Sequence, residues 1–172
     1  MMLRSLVLPL LFALVLPWTA QAQQWSTYRP DGAGYSIDLP GKPTVESETT
    51  PSPGGPITSH SAEVDTGQAG FVSMYTVYPS GLTMEANTSL DAARDGMLED
   101  GKSELRDEKK LMVSDAPARR VTLFDKESKV MIVNLMVFRH NTLYQSIYAA
   151  PSGQEDTETS RRFFDSFKLL DR

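Results

Sequence analysis

The most strongly patterned stretch of the chain is Lys129–Ala149, KVMIVNLMVFRHNTLYQSIYA, two apolar runs around a short polar break. If Val130–Phe138 is extended, Val130, Ile132, Asn134, Met136 and Phe138 face one way, and Met131, Val133, Leu135 and Val137 the other. Both faces are apolar, which predicts a central strand covered on both sides rather than one with a wet face. Its length and its Val and Ile content favour a strand over a buried helix. The break Arg139-His140-Asn141-Thr142 predicts a tight hairpin, because Asn tolerates the left-handed backbone such a turn needs. The return strand Leu143–Ala149 places Tyr144 and Tyr148 on one face and Leu143, Ile147 and Ala149 on the other. Pro151-Ser152-Gly153 ends it.

The same patterning covers the rest of the chain. Residues 23–34 read as an irregular lead-in with Trp25 and Tyr28 as packing anchors, and Tyr35–Pro40 as a first strand with Tyr35, Ile37 and Leu39 inward. Thr44–Thr50 and Ile57–Val64 are polar arms of a hairpin near a sheet edge, joined by the Pro/Gly-rich tip Pro51–Pro56. Gly70–Pro79 is apolar on both faces and belongs mid-sheet. A helix is expected from a Thr88 or Ser89 cap to about Asp100, with Leu90, Ala93, Met97 and Leu98 on its apolar face and Gly101 ending it. Glu104–Val113 and Ala118–Asp125 alternate and form a further pair, with Leu105, Leu111 and Val113 marking the apolar face of the first. Ser160–Phe167 is a second helix with Phe163, Phe164 and Phe167 inward. Strands, helix, four strands and helix in that order predict an α+β fold. A mostly antiparallel sheet lies between helices in a three-layer α/β/α sandwich.

The first residues change the picture of where the protein works. Arg4, the apolar run Leu6–Leu16 and Ala20-Gln21-Ala22 form a secretory signal pattern, so residues 1–22 are expected to be removed and residues 23–172 to fold as one domain. The apolar run is shorter than the ~20 residues a membrane span needs, so no stable span is expected after cleavage, and the protein is expected in the periplasm or secreted. The chain has no Cys, which excludes thiol catalysis, thiolate metal sites and a lipoprotein anchor. With 17 basic and 22 acidic residues and no dense basic cluster, nucleic acid is not an expected partner.

Several segments also recur, in this order, in small exported bacterial proteins: Tyr35–Pro43 (YSIDLPGKP), the Tyr75–Pro79 strand, Leu90–Gly96 (LDAARDG), Asp115–Arg120 (DAPARR), Asn141–Gln145 (NTLYQ) and Phe163–Leu169 (FFDSFKL). In these the chain resembles the PsbP-like superfamily, which includes the extrinsic photosystem II subunit PsbP, a Ran-binding nuclear import factor and the periplasmic DcrB type. The resemblance implies an α/β/α sandwich around an antiparallel sheet, and proteins that mostly bind or stabilise other proteins. The chain departs from the commoner pattern at Ala118, where Gly is usual, which leaves the turn geometry there open.

Candidate chemistry is sparse. No Gly-x-Ser-x-Gly elbow exists, and the two histidines, His60 and His140, sit on a polar strand and in a hairpin turn. A Ser59–His60–Asp65 relay fails because adjacent strand residues face opposite ways. Glu46 with Glu48, and Asp95 with Glu99, are the carboxylate pairs that could hold a hard cation weakly, although a solvated acidic face describes them better. No Gly-rich phosphate loop is present. No catalytic residue, metal ligand or cofactor is therefore expected. The candidate contacts are Tyr75, Tyr78, Tyr144 and Tyr148 on the central strands, and Pro53, Gly54 and Gly55 in the hairpin tip. The signal pattern, the lack of a catalytic constellation and the resemblance together lead to the expectation of an exported non-catalytic module that binds or stabilises another envelope protein. The alternatives are a small-ligand carrier with a tyrosine-lined pocket and an uncharacterised hydrolase.

Overall fold

The computed structural model describes residues 24–171; the expected signal peptide lies outside them. In chain order the elements are β1 (Ser26–Tyr28), β2 (Tyr35–Leu39), β3 (Thr44–Thr50), β4 (Ile57–Asp65) and β5 (Gly70–Val77), then α1 (Ala86–Gly96). There follow β6 (Ser103–Val113), β7 (Ala116–Asp125), β8 (Val130–Arg139), β9 (Thr142–Pro151), α2 (Glu158–Asp165) and β10 (Lys168–Leu169). Seven strands form one sheet in the order β3-β4-β5-β9-β8-β7-β6, with every neighbouring pair antiparallel. The two strands expected to be apolar on both faces, β5 and β8, lie on either side of β9 at its centre. The polar β3 is an edge, as its composition predicts.

The pleat sorts the central strands into two cores. Val133, Leu135 and Val137 of β8 join Phe71 and Tyr75 of β5 and Tyr144 and Tyr148 of β9 on one face. Met136 and Phe138 of β8, with Leu143 of β9 and Val121 of β7, form the other face, where α1 inserts Leu90. Helix α1 packs across β7 and β8 with Ala93 and Met97 beside Leu90, the stripe its spacing predicts. It starts earlier than expected. Glu85 is the N-cap, its carboxylate accepting from the Thr88 backbone N–H at 2.7 Å and hydroxyl at 2.9 Å. A carboxylate at this position satisfies an orphan donor and faces the positive end of the helix, so it displaces the cap expected at Thr88 or Ser89.

The opposite face departs further from expectation. It is covered by α2 together with a second, three-stranded sheet in the order β1-β2-β10. The expected first strand, β2, is thus not part of the large sheet. Tyr35, Ile37 and Leu39 point down onto it, and residues 26–28 of the irregular lead-in form β1. Helix α2 starts two residues before the expected Ser160, because Thr157 and Ser160 form a reciprocal capping box. Strand β6 corrects another expectation. It is the second edge strand of the large sheet, so Leu105 and Leu111 are each 38% exposed and Met112 58% exposed rather than packed. A register shift between Leu105 and Asp107 and its dense charges keep this edge from offering a flat template. Ala118 lies within β7, 3% exposed and opposite Val137, so the turn before it is the pair Ser114-Asp115, where Ser114 takes the left-handed φ of 54°.

Candidate functional site

Four connections meet at one end of the large sheet. They are the tip joining β3 to β4, the β5–α1 connection, the Ser114-Asp115 turn and the β8–β9 turn. The last is a two-residue turn with His140 at φ 50° and Asn141 at φ 54°, the doubly left-handed geometry whose twist matches the flanking strands. From it Asn141 reaches sideways. Its side-chain amide donates to the Leu82 carbonyl at 2.7 Å and the Pro79 carbonyl at 3.2 Å, and its own carbonyl accepts from the Tyr78 N–H at 2.9 Å. One turn residue therefore fixes residues 78–82.

That connection in turn supports the Pro/Gly tip. A Cβ on Gly54 would lie 2.6 Å from a Leu82 methyl and 2.8 Å from its Cγ, so a larger residue there would push the Leu82 side chain out of its seat against the tip. Gly55, at φ 117°, packs over Pro79. The Ser52 hydroxyl closes the tip on the Gly55 carbonyl at 2.6 Å. Pro51, Pro53 and Pro56 remain exposed around it. The tip singled out from the sequence is thus not a free loop but a braced one. The residues that brace it, Leu82 and Asn141, carried no signal of a binding role in the sequence.

The far side of the same connection is held by ions. Arg119 of β7 is 1% exposed and pairs with Asp91 of α1 and with Glu108 of β6 at 2.7 Å, while its other amino group reaches the Asn87 carbonyl at 3.4 Å. Arg94 forks onto Glu108 at 3.0 and 3.1 Å and also bridges Asp91 and Asp95. Burial pulls the Glu108 carboxyl upward, but the hydrogen bonds from Arg119 and Arg94 outweigh it and hold the group below the usual carboxylate range. The same network raises the Arg94 guanidinium above its ordinary value. Two of the segments that carry the resemblance, LDAARDG and DAPARR, meet here as one ion network that fastens the middle and last turn of α1 to β7 and the edge strand β6.

The four tyrosines divide. Tyr75 and Tyr144 face each other across β5 and β9, and both lie against the ring of Tyr35, at 5.8 and 5.4 Å. Tyr35 and Tyr144 hydroxyls are satisfied internally, by Ser73 Oγ at 2.8 Å and by the Ala33 carbonyl at 2.9 Å. Burial pushes the Tyr35 phenol upward. Tyr148 lies against Phe71 at 5.2 Å further along the same face. Tyr78 is on the other side of the sheet, half-buried near Phe138, with its phenol also raised by burial. The structure therefore does not gather the four into one pocket. Tyr75 and Tyr144 are core, and Tyr148 and Tyr78 sit at different ends of different faces.

The remaining candidates are separate. His60 stacks on Tyr75 at 4.5 Å, and Ser59 on the opposite face hydrogen-bonds Thr76 at 3.0 Å. His140 is exposed in its turn. Glu46 and Glu48 line an open cavity of about 160 Å³ with Ser59 and Ser61. Among the described residues no three His, Cys, Asp or Glu side chains come together as a metal site. No helix among them is long and apolar enough to cross a membrane.

Comparison with solved structures decides the fold. The cyanobacterial PsbP of Synechocystis superposes with a TM-score of 0.56 over 88% of this chain and 96% of that one, at 13% identity. The chain has a PsbP-like fold. A Pseudomonas aeruginosa protein of unknown function aligns over 76% of this chain and 85% of its own, at 10% identity and a TM-score of 0.37. No family model matches the sequence, and no curated protein matches it. At such identities the PsbP-like likeness concerns the path of the chain, not its chemistry.

Proposed function

We propose that this PsbP-like chain is a non-catalytic exported module that docks onto another envelope protein through the braced end of its large sheet. The observation that carries the reading is the seating of Gly54 on Leu82, with Leu82 held in turn by Asn141. A loop already fixed in one conformation loses little entropy on binding, which is what a recognition loop on a rigid scaffold needs. Exposed prolines around the tip add stiff apolar contact area. Export rests on the N-terminal signal pattern, and the PsbP-like resemblance supports a role in binding or stabilising a protein. We read the layering as a three-layer sandwich, with α1 on one face and α2 plus the small sheet on the other, supported by the two separate cores.

The test is site-specific photo-crosslinking in cells, with the reactive residue placed at Pro53 and, as a control, at Lys126 in the turn at the opposite end of the sheet. A discrete adduct from position 53 that is absent from position 126 and lost on Gly54→Leu supports the reading. Equal labelling at both positions, or no adduct from a well-expressed protein, overturns it.

A further inference from the structure

At the end of the large sheet remote from the braced loops, a cavity of about 170 Å³ opens between the β4–β5 turn, the end of β9 and the segment leading into α2. Its base is Phe71 and Tyr148, and its rim carries Gln68, Gln154 and Thr159. None of the eight residues that line it is charged. No Lys or Arg offers itself to a phosphate or carboxylate, and no Asp or Glu offers itself to a cation or amine. What the walls supply is hydroxyl and amide groups.

Those groups are unevenly committed. The Thr66 hydroxyl is spent within its own turn, on the Ala69 carbonyl at 3.0 Å, and Thr157 is spent as the cap of α2. The side chains of Gln68, Gln154 and Thr159 make no hydrogen bond among the described residues, and neither does the hydroxyl of Tyr148. Tyr148 is the telling member: the residue is 2% exposed, yet its hydroxyl is not among the sealed, unpartnered groups of the core, and it lines the open cavity. On the same aromatic face the hydroxyls of Tyr35 and Tyr144 have partners within the protein. Tyr148 lines the cavity with its hydroxyl unpaired, beside three further side chains that can each donate or accept.

We propose that this cavity is a binding site for a neutral carbohydrate, taken one sugar ring at a time. The space suits a single ring rather than an extended ligand. The uncharged donors and acceptors match the hydroxyls and acetamido groups of neutral sugars, and Tyr148 hydrogen-bonds the ring that enters deepest. The site is separate from the braced loop end, so it stands or falls independently of the protein-docking reading.

The experiment is an amide NMR titration of the purified protein with methyl β-glucopyranoside and with N-acetylglucosamine, and with gluconate as the anionic comparison. Saturable shifts confined to residues 66–70 and 154–160, from one of the neutral sugars and not from gluconate, are expected. Tyr148→Phe keeps the ring and removes only the hydroxyl, and it weakens the binding roughly three- to tenfold, the effect of one neutral hydrogen bond. Gln154→Ala, at an exposed position that cannot unfold the protein, weakens it in the same direction. No saturable shift with either sugar up to tens of millimolar overturns the proposal. So do shifts located elsewhere, equal binding of gluconate, or unchanged affinity in both variants.

Discussion

Removing the two sides of the Arg119–Glu108 contact has unequal consequences, and the inequality follows from where each charge can go. Breaking a buried ion pair by deleting one partner costs about 3–5 kcal/mol, because the survivor is left uncompensated. Glu108→Ala strands Arg119, whose side chain is 1% exposed and whose Nε already lacks a partner. Asp91 remains on the same amino group, which places the cost near the lower end, at about 3 kcal/mol. Arg119→Met leaves the opposite situation. Asp91, 42% exposed, keeps its ion pair with Arg94, and Glu108 keeps both hydrogen bonds from Arg94. A methionine of similar length fills the space, so the loss is about 1 kcal/mol or less, since apolar replacement of a buried charge is often near neutral. In the double variant no guanidinium is stranded, and its stability falls close to that of Arg119→Met alone. The coupling between the two positions is then about 2–3 kcal/mol. Urea unfolding of the four proteins, with midpoints compared at constant slope, measures this directly. If Arg119→Met proves costlier than Glu108→Ala, or if the two losses simply add, stranded charge is not what governs this network.

Other consequences are simpler to read. Asn141→Gly keeps the left-handed turn and removes only the side-chain bonds to Pro79 and Leu82, so amide exchange should rise in residues 79–85 while the global unfolding midpoint moves little; a large loss of global stability would mean the turn itself needs asparagine. Gly54→Ala should displace Leu82 and shift NMR signals in both the tip and residues 79–85, whereas shifts confined to the tip would show that the two do not touch. Because Glu108 is held below the usual carboxylate range in the folded state, its contribution is fully present at neutral pH and is lost as pH falls through that lowered value. Urea midpoints from neutral to acid pH should therefore drop less steeply in Glu108→Gln than in the unaltered chain, and parallel curves would remove Glu108 as a source of acid sensitivity. Tyr35→Phe leaves the buried Ser73 hydroxyl without its partner and should cost about 1–2 kcal/mol of unfolding free energy.

The large sheet was legible because its information is local. Alternation in residues 130–149 fixes which side chains share a face, and a two-residue Asn-containing turn fixes the register. What escaped was set by partners far away in sequence. The alternation of Tyr35, Ile37 and Leu39 reveals an inward face but not which sheet the strand joins, and β2 is claimed by β10 at the other end of the chain. Leu105 and Leu111 alternate as a buried strand would, yet each stays 38% exposed on the edge strand of the sheet. The starts of both helices moved because Glu85, and the Thr157–Ser160 pair, competed for the first free N–H groups. At the candidate site the glycines of the tip were visible as turn formers. Their function as a seat for Leu82 depends on a packing contact that no spacing encodes. The ion network was hidden for the same reason. Asp91, Arg94, Glu108 and Arg119 each look like solvated surface residues until the fold brings them together.

The pairing of β2 with β10 also sets an order of events for the newborn chain. Ser36 meets Lys168 and Tyr35 meets Leu169, more than a hundred residues later, and the flanking bonds from Leu170 to Gly34 and from Asp38 to Ser166 lie at the same seam. The aromatic core beneath that seam takes rings from both ends, Tyr35 from one and Phe163 and Phe167 from the other. It cannot close before residues 163–169 are available to pack. Contacts of such long sequence separation form late and slowly, since the loop between them must first be brought together. A seam that joins residues 34–38 to residues 166–170 acts as a clasp between two distant segments, and the aromatic core beneath it stays open until both are in place.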